Sequence, residues 1–225
     1  MSRPGLALFD LDGTLLPNDS DHAFGEFLVA LGWADGADFR ARNDAFYADY
    51  LQGRLDMDAY VAFCTAPWRD RAAAELEAVR ARFVDTVVRP LIGGAAFALV
   101  ERHRAARDAL AIVTATNDFV TRPIADLFGV PTLIATVLER DAHGRATGRI
   151  AGVPAFRAGK IERVRQWLAR DGRTLADFER CTFYSDSTND LPLLEHVSHP
   201  VATNPGAALR EVALARGWPI LNLYP

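Results

Sequence analysis

The chain is poor in sulfur: its 225 residues hold two methionines and two cysteines, Cys64 and Cys181, far apart in sequence. That excludes a disulfide-built fold, and no close-spaced Cys/His cluster marks a zinc site. His22, His103, His143, His196 and His199 also lack metal-ligand spacing. No uninterrupted apolar stretch approaches the ~20 residues of a membrane span. The N-terminal apolar run is broken by Asp10 and Asp12, which does not fit a signal peptide. There is no basic excess. Lys and Arg number 25 against 29 Asp and Glu, a net charge of −4, so neither a nucleic-acid nor a membrane partner is expected. Repeats and low-complexity tracts are missing too, which excludes solenoids and linkers. These absences leave a soluble, cytoplasmic protein as the expectation, with its oligomeric state open.

Half of the residues are hydrophobic and 24% are charged, the composition of a globular chain. The length suits one large domain or a domain with an insertion. Short apolar runs at 5–9, 109–113, 132–136, 182–185, 200–203 and 220–223 lack polar alternation, as strands covered on both faces do. Helical patterns at 95–106, 119–128, 160–170 and 207–216 alternate with them. The expectation is an α/β fold with a doubly wound, mostly parallel sheet. From about residue 18 to 86 only helical patterns occur, such as Phe24, Phe27, Leu28 and Leu31. We therefore expect a helical cap at 17–86 inserted into a core of 1–16 and 87–225. The polar run at 140–152, with Gly144 and Gly148, reads as a hairpin or flap.

The sharpest motif is Asp10-Leu11-Asp12-Gly13-Thr14, directly after the first apolar run. A calcium loop would place glycine sixth and glutamate twelfth; here Gly13 is fourth and Asp21 twelfth. Thr114 closes the second run, Lys160 opens a helical stretch and Asp186 follows the fourth run. In a parallel sheet the C-terminal strand ends share one edge, so Asp10, Asp12, Thr114 and Asp186 converge on one crevice. Clustered carboxylates repel unless a cation joins them, and oxygen ligands suit Mg²⁺. A hydroxyl and an ammonium nearby suit a phosphate. Each residue also has a plainer reading: Lys160 as a solvated lysine, Thr114 as a helix cap, Asp190 as a cap for the following helix.

These four elements, in this order, resemble the haloacid dehalogenase-like superfamily of phosphohydrolases over essentially the whole chain. The inserted helices match the cap position of its phosphoserine-phosphatase-like branch. The resemblance implies Asp10 as nucleophile and Asp12 as acid and then base. Asp10, the Asp12 carbonyl and Asp186 would hold Mg²⁺. Thr114, Lys160 and Asn189 would bind the phosphate side, with Asp190 in support. The substrate would be a small phosphorylated metabolite.

The chain also departs from phosphoserine phosphatases. It has Leu11 and Gly13 in the first motif, Thr114-Ala115 in the second and Ser185-Asp186-Ser187 in the last. Where those enzymes place an amine-binding glutamate, it carries Asp19. It looks more like a neighbouring branch that includes histidinol-phosphate phosphatases. Transfer of the phosphoryl group to an alcohol, and a silent binding module on the same fold, are the alternative expectations.

Overall fold

The first apolar run forms β1 (Leu6–Phe9) with all four side chains buried. Leu6 and Leu8 enter one apolar cluster, Ala7 and Phe9 the other. A strand covered on both faces needs apolar side chains at every position, hence the missing alternation. The structure, a computed structural model, describes residues 4–224; residues 1–3 and 225, which the expected core span includes, lie outside the described residues.

The other strands are β2 (Ala109–Asn117), β3 (Thr132–Thr136), β4 (Leu138–Arg140), β5 (Ala146–Ile150), β6 (Cys181–Ser185), β7 (His199–Thr203) and β8 (Ile220–Leu221). Six form one sheet in the order β3-β2-β1-β6-β7-β8, with every pairing parallel. The expected α/β class holds. The order reverses between β1 and β6, so the crevice beyond their C-terminal ends is the natural ligand site. β4 and β5 form the separate antiparallel hairpin expected at the glycine-bearing run.

The segment expected as the cap, after β1, holds α1 (Ser20–Ala30), α2 (Gly36–Leu51), α3 (Met57–Thr65) and α4 (Ala73–Phe83). No strand interrupts them among the described residues. Phe24, Leu28 and Phe83 join the cluster on one face of the sheet, together with α5 (Gly94–Ala105) and α6 (Asp118–Leu127). Phe39, Phe63 and Cys64 make a small cluster of their own. On the opposite face pack α7 (Ala158–Ala169), α8 (Leu191–Leu194) and α9 (Ala207–Arg216). Among the described residues no single helix is long and apolar enough to cross a membrane.

Two strand ends differ from expectation. β2 continues past Val113 to Asn117 through a register shift, because the hydroxyls of Thr114 and Thr116 find a partner beyond the sheet edge, described below. The last strand stops at Leu221.

One polar network ties α5 to the sheet. The buried His103 ring has Nδ1 2.6 Å from Asp108 Oδ2 and Nε2 2.8 Å from the Tyr184 hydroxyl. Burial holds the His103 pKa below its ordinary value despite Asp108. The neutral ring accepts from Tyr184 and donates to Asp108. Tyr184→Phe leaves Nε2 without its partner, and urea denaturation should show a loss of ~1–3 kcal/mol. An unchanged midpoint and slope would mean that water replaces the hydroxyl.

Candidate active site

Asp10 follows β1 directly, with its backbone N donating to Tyr184 O at 2.9 Å. The chain then makes a wide turn closed by Leu16 N donating to Leu11 O, 2.9 Å. Gly13 within it has φ 74°, and a Cβ there would sit 2.3 Å from Asp186 Oδ2. Glycine is needed on both counts. Thr14 Oγ1 donates to Asp186 Oδ1 at 3.0 Å, which fixes the second loop against the first.

Lys160 lies in the first turn of α7 and is only 1% exposed. Its Nζ donates to Asp10 Oδ1 at 2.8 Å and to Asp190 Oδ2 at 2.7 Å. The solvated-lysine reading is overturned. Burial works against the charge, but Asp10 and Asp190 outweigh it and hold the Lys160 pKa above its ordinary value. Ser185 Oγ donates to the same Asp190 oxygen at 2.7 Å. Asp190 precedes α8 without capping it through its side chain, which Lys160 and Ser185 have claimed.

Asp12 turns its carboxylate away from Asp186. It accepts from Ser20 N at 2.7 Å and Thr116 Oγ1 at 2.8 Å, with Thr114 Oγ1 farther off at 3.4 Å. Thr114 is therefore a strand residue, and the cap of α6 is Asn117, whose Oδ1 accepts from Val120 N. Sequence reading missed Thr116; strand alternation places it on the face of Thr114. Asp19 caps α1 by accepting from His22 N at 2.8 Å. Asn189 meets the helical segment instead of the carboxylates, donating to Tyr50 O at 2.8 Å. Arg157 Nη1 donates to Gly53 O at 2.6 Å beside it. These two bonds join the end of α2 to the loops before α7 and α8.

A pocket opens between these loops and the helices, lined by Asp10, Asp12, Asp19, Asp21 and Thr114 together with Tyr47, Tyr50 and Tyr60.

The electrostatics are one-sided. Burial pushes the pKa of Asp10 up, with Lys160 pulling against it. Asp186 is raised by burial, then by Asp10 and Asp190. Burial and the Asp19 charge lift Asp12 to about 6, against its bonds to Ser20 and Thr116. Burial lifts Asp190 to about 6 against Lys160. Asp21, 5% exposed, goes to about 8 through burial, then Asp19 and Asp12. The arrangement calls for cations. Among the described residues no group of three or more His, Cys, Asp and Glu side chains is placed to hold a metal ion by itself.

A family profile described as haloacid dehalogenase-like hydrolase matches residues 7–195. The chain is 44% identical over 217 residues to a histidinol-phosphatase of Neisseria meningitidis serogroup C, spanning 96% of this chain and 98% of that protein. It is 33% identical over 217 residues to phosphoserine phosphatase SerB1 of Mycobacterium tuberculosis, across 95% of this chain and 69% of that one. Among solved structures, a protein of unknown function from Bordetella pertussis Tohama I superposes with TM-score 0.93 at 48% identity, covering 99% of this chain and 100% of its own. A substrate-bound phosphoserine phosphatase complex superposes with TM-score 0.67 at 17% identity over 94% and 91% of the two chains, a likeness of fold.

Asp21 gives a stability prediction. Its folded pKa, about 8, lies above the ordinary 3.8. The folded state thus holds a proton that the unfolded state has released, and this contribution to stability is lost as pH rises toward 8. Asp21→Asn carries no such loss. Its Tm advantage over the parent should grow from pH 5 to pH 8.5 in scanning fluorimetry without metal. A constant difference would show that Asp21 titrates normally.

Proposed function

Within the haloacid dehalogenase-like hydrolases, the family to which this chain belongs, we propose a Mg²⁺-dependent phosphomonoesterase that works through a phosphoaspartate on Asp10. The observation that carries this reading is the state of the Asp10 carboxylate. Lys160 holds one oxygen, while the other is buried without a hydrogen-bond partner. An oriented carboxylate with one free oxygen at the floor of a pocket is a nucleophile in waiting.

The donor set also fits the cation. A second oxygen of the Asp10 carboxylate, the raised Asp186 carboxyl and the Asp12 main-chain carbonyl would hold it, and all are hard oxygens. Only two of them belong to side chains, so a cluster of three side-chain ligands is not required. When bound, Mg²⁺ supplies charge neutralisation at the phosphoryl oxygens.

The residues then divide the work. The free Asp10 oxygen attacks phosphorus as the bond to the alcohol oxygen breaks. The departing alkoxide takes its proton from Asp12, whose pKa of about 6 lets it hold one near neutrality. Asp12, now charged, takes a proton from the water that attacks phosphorus and frees phosphate from Asp10. Lys160 and Thr114 bind phosphoryl oxygens, and Asp190 keeps Lys160 charged and aimed. The helical segment at 17–86 acts as the cap, with Asn189 and Arg157 tying it shut through Tyr50 and Gly53.

The alcohol is a small amine. Asp19 lines the pocket where such a group would lie, and the aromatic lining suits a ring. Together with the 44% identical histidinol-phosphatase, this favours histidinol phosphate over phosphoserine as substrate.

Asp12→Asn tests the chemistry. Alkyl phosphates need the acid, whereas nitrophenolate leaves without it. The variant should lose ~10³-fold on histidinol phosphate. On p-nitrophenyl phosphate with saturating Mg²⁺ it should show a burst near one equivalent of enzyme, then a slow steady state. Equal losses on both substrates with no burst would remove Asp12 from the acid-base role.

A further inference from the structure

The mechanism leaves one buried carboxylate of the pocket unused. Asp21 lies in the first turn of α1 and lines the same pocket as Asp10, Asp12 and Asp19. It is held rather than tolerated. Asn117 Nδ2 donates to both of its oxygens, at 3.0 and 3.2 Å. Asn117 cannot turn away, because its Oδ1 accepts from Val120 N at the start of α6. A helix cap thus fixes the amide that aims Asp21. Tyr60 of α3 also interacts with its carboxyl group. Burying a carboxylate in this way costs stability unless a partner arrives.

Much of the remaining lining is aromatic. Phe46, Tyr47 and Tyr50 of α2 line the pocket together with Tyr60. Tyr47 and Tyr50 lie with ring centroids 6.5 Å apart and planes 14° from parallel, and Phe46 meets Tyr60 at 5.3 Å. His22 is not free to answer Asp21, since its Nε2 is 2.8 Å from Asp44. A ringless amine phosphate would satisfy Asp19 and leave both Asp21 and this lining idle. A flat ring carrying an N–H would stack on the aromatic faces and present its donor to a carboxylate already oriented.

We propose that Asp21, aimed by Asn117 and Tyr60, is the specificity residue that selects a substrate alcohol bearing a flat N–H ring in addition to its amine. This inference rests on the reading of the enzyme as an amine-phosphate phosphatase, and the test separates the two. Specificity constants are measured with Mg²⁺ for histidinol phosphate, which has amine and ring, and O-phosphoethanolamine, which has the amine alone. The parent should prefer histidinol phosphate. In Asp21→Asn the ratio of the two constants should fall ~10- to 100-fold, chiefly through KM for histidinol phosphate, the scale of leaving one buried hydrogen-bonding group unmatched.

A second readout needs no turnover. Free histidinol should inhibit hydrolysis of p-nitrophenyl phosphate by the parent more strongly than ethanolamine does, and Asp21→Asn should erase that difference. Tyr60→Phe should move the ratio in the same direction by less, and its melting curve together with that of Asp21→Asn shows whether each variant is folded. A parent with no preference for histidinol phosphate overturns the substrate reading and this inference with it. A parent that prefers it, with folded Asp21→Asn keeping the ratio and the histidinol inhibition, overturns the inference alone.

Discussion

Everything at this site depends on one buried ammonium. Lys160 comes from a helix on one face of the sheet and reaches Asp10 at the end of the central strand and Asp190 after β6. A lone buried charge of this kind would cost several kcal/mol. Two carboxylates with bonds of 2.8 and 2.7 Å, and the Ser185 hydroxyl on Asp190, make it tolerable. The same bonds set the distances between three loops that share no continuous element. Removing either partner would leave the remaining charge buried and poorly matched, so the network is held as a unit.

One lysine does not balance the carboxylates that surround it. Asp10, Asp12, Asp19, Asp21, Asp186 and Asp190 are all raised in pKa by burial. The fold accepts this cost at the edge where β1, β2 and β6 end; under the proposed function a divalent cation, a phosphate and a positively charged alcohol would each offset part of it there. The imbalance also explains why the site is covered. Charges placed in a buried pocket act far more strongly than the same charges in solvent.

Much of this was legible in the chain itself. Strands covered on both faces have apolar side chains throughout, so the runs around Leu8, Ile112 and Phe183 announced a parallel sheet. Asp10, Asp12, Thr114 and Asp186 follow such runs, and strand order alone brings them to one edge. What stayed hidden depends on side chains that meet across long separations. Lys160 is assigned to the site only through the family resemblance; its local pattern is that of a solvated helix-start lysine, and its bond to Asp10, 150 residues away, has no local signal. His103 and Tyr184, 81 residues apart, carry no local pattern. Asp21 resembles any acidic residue in the first turn of a helix, and only Asn117, 96 residues later, shows that it is held in place. Thr116 was the exception: two positions after Thr114, its period-two spacing was a signal that could have been read.

The central claim is that phosphate passes through a covalent bond to Asp10. The direct measurement is acid quench of Asp12→Asn during turnover of p-nitrophenyl phosphate with Mg²⁺, followed by proteolysis and mass spectrometry. The account predicts one phosphoryl group per chain, confined to the peptide that contains Asp10 and absent when Asp10 is replaced by asparagine. Turnover with no phosphorylated peptide, or phosphate on another residue, would contradict it.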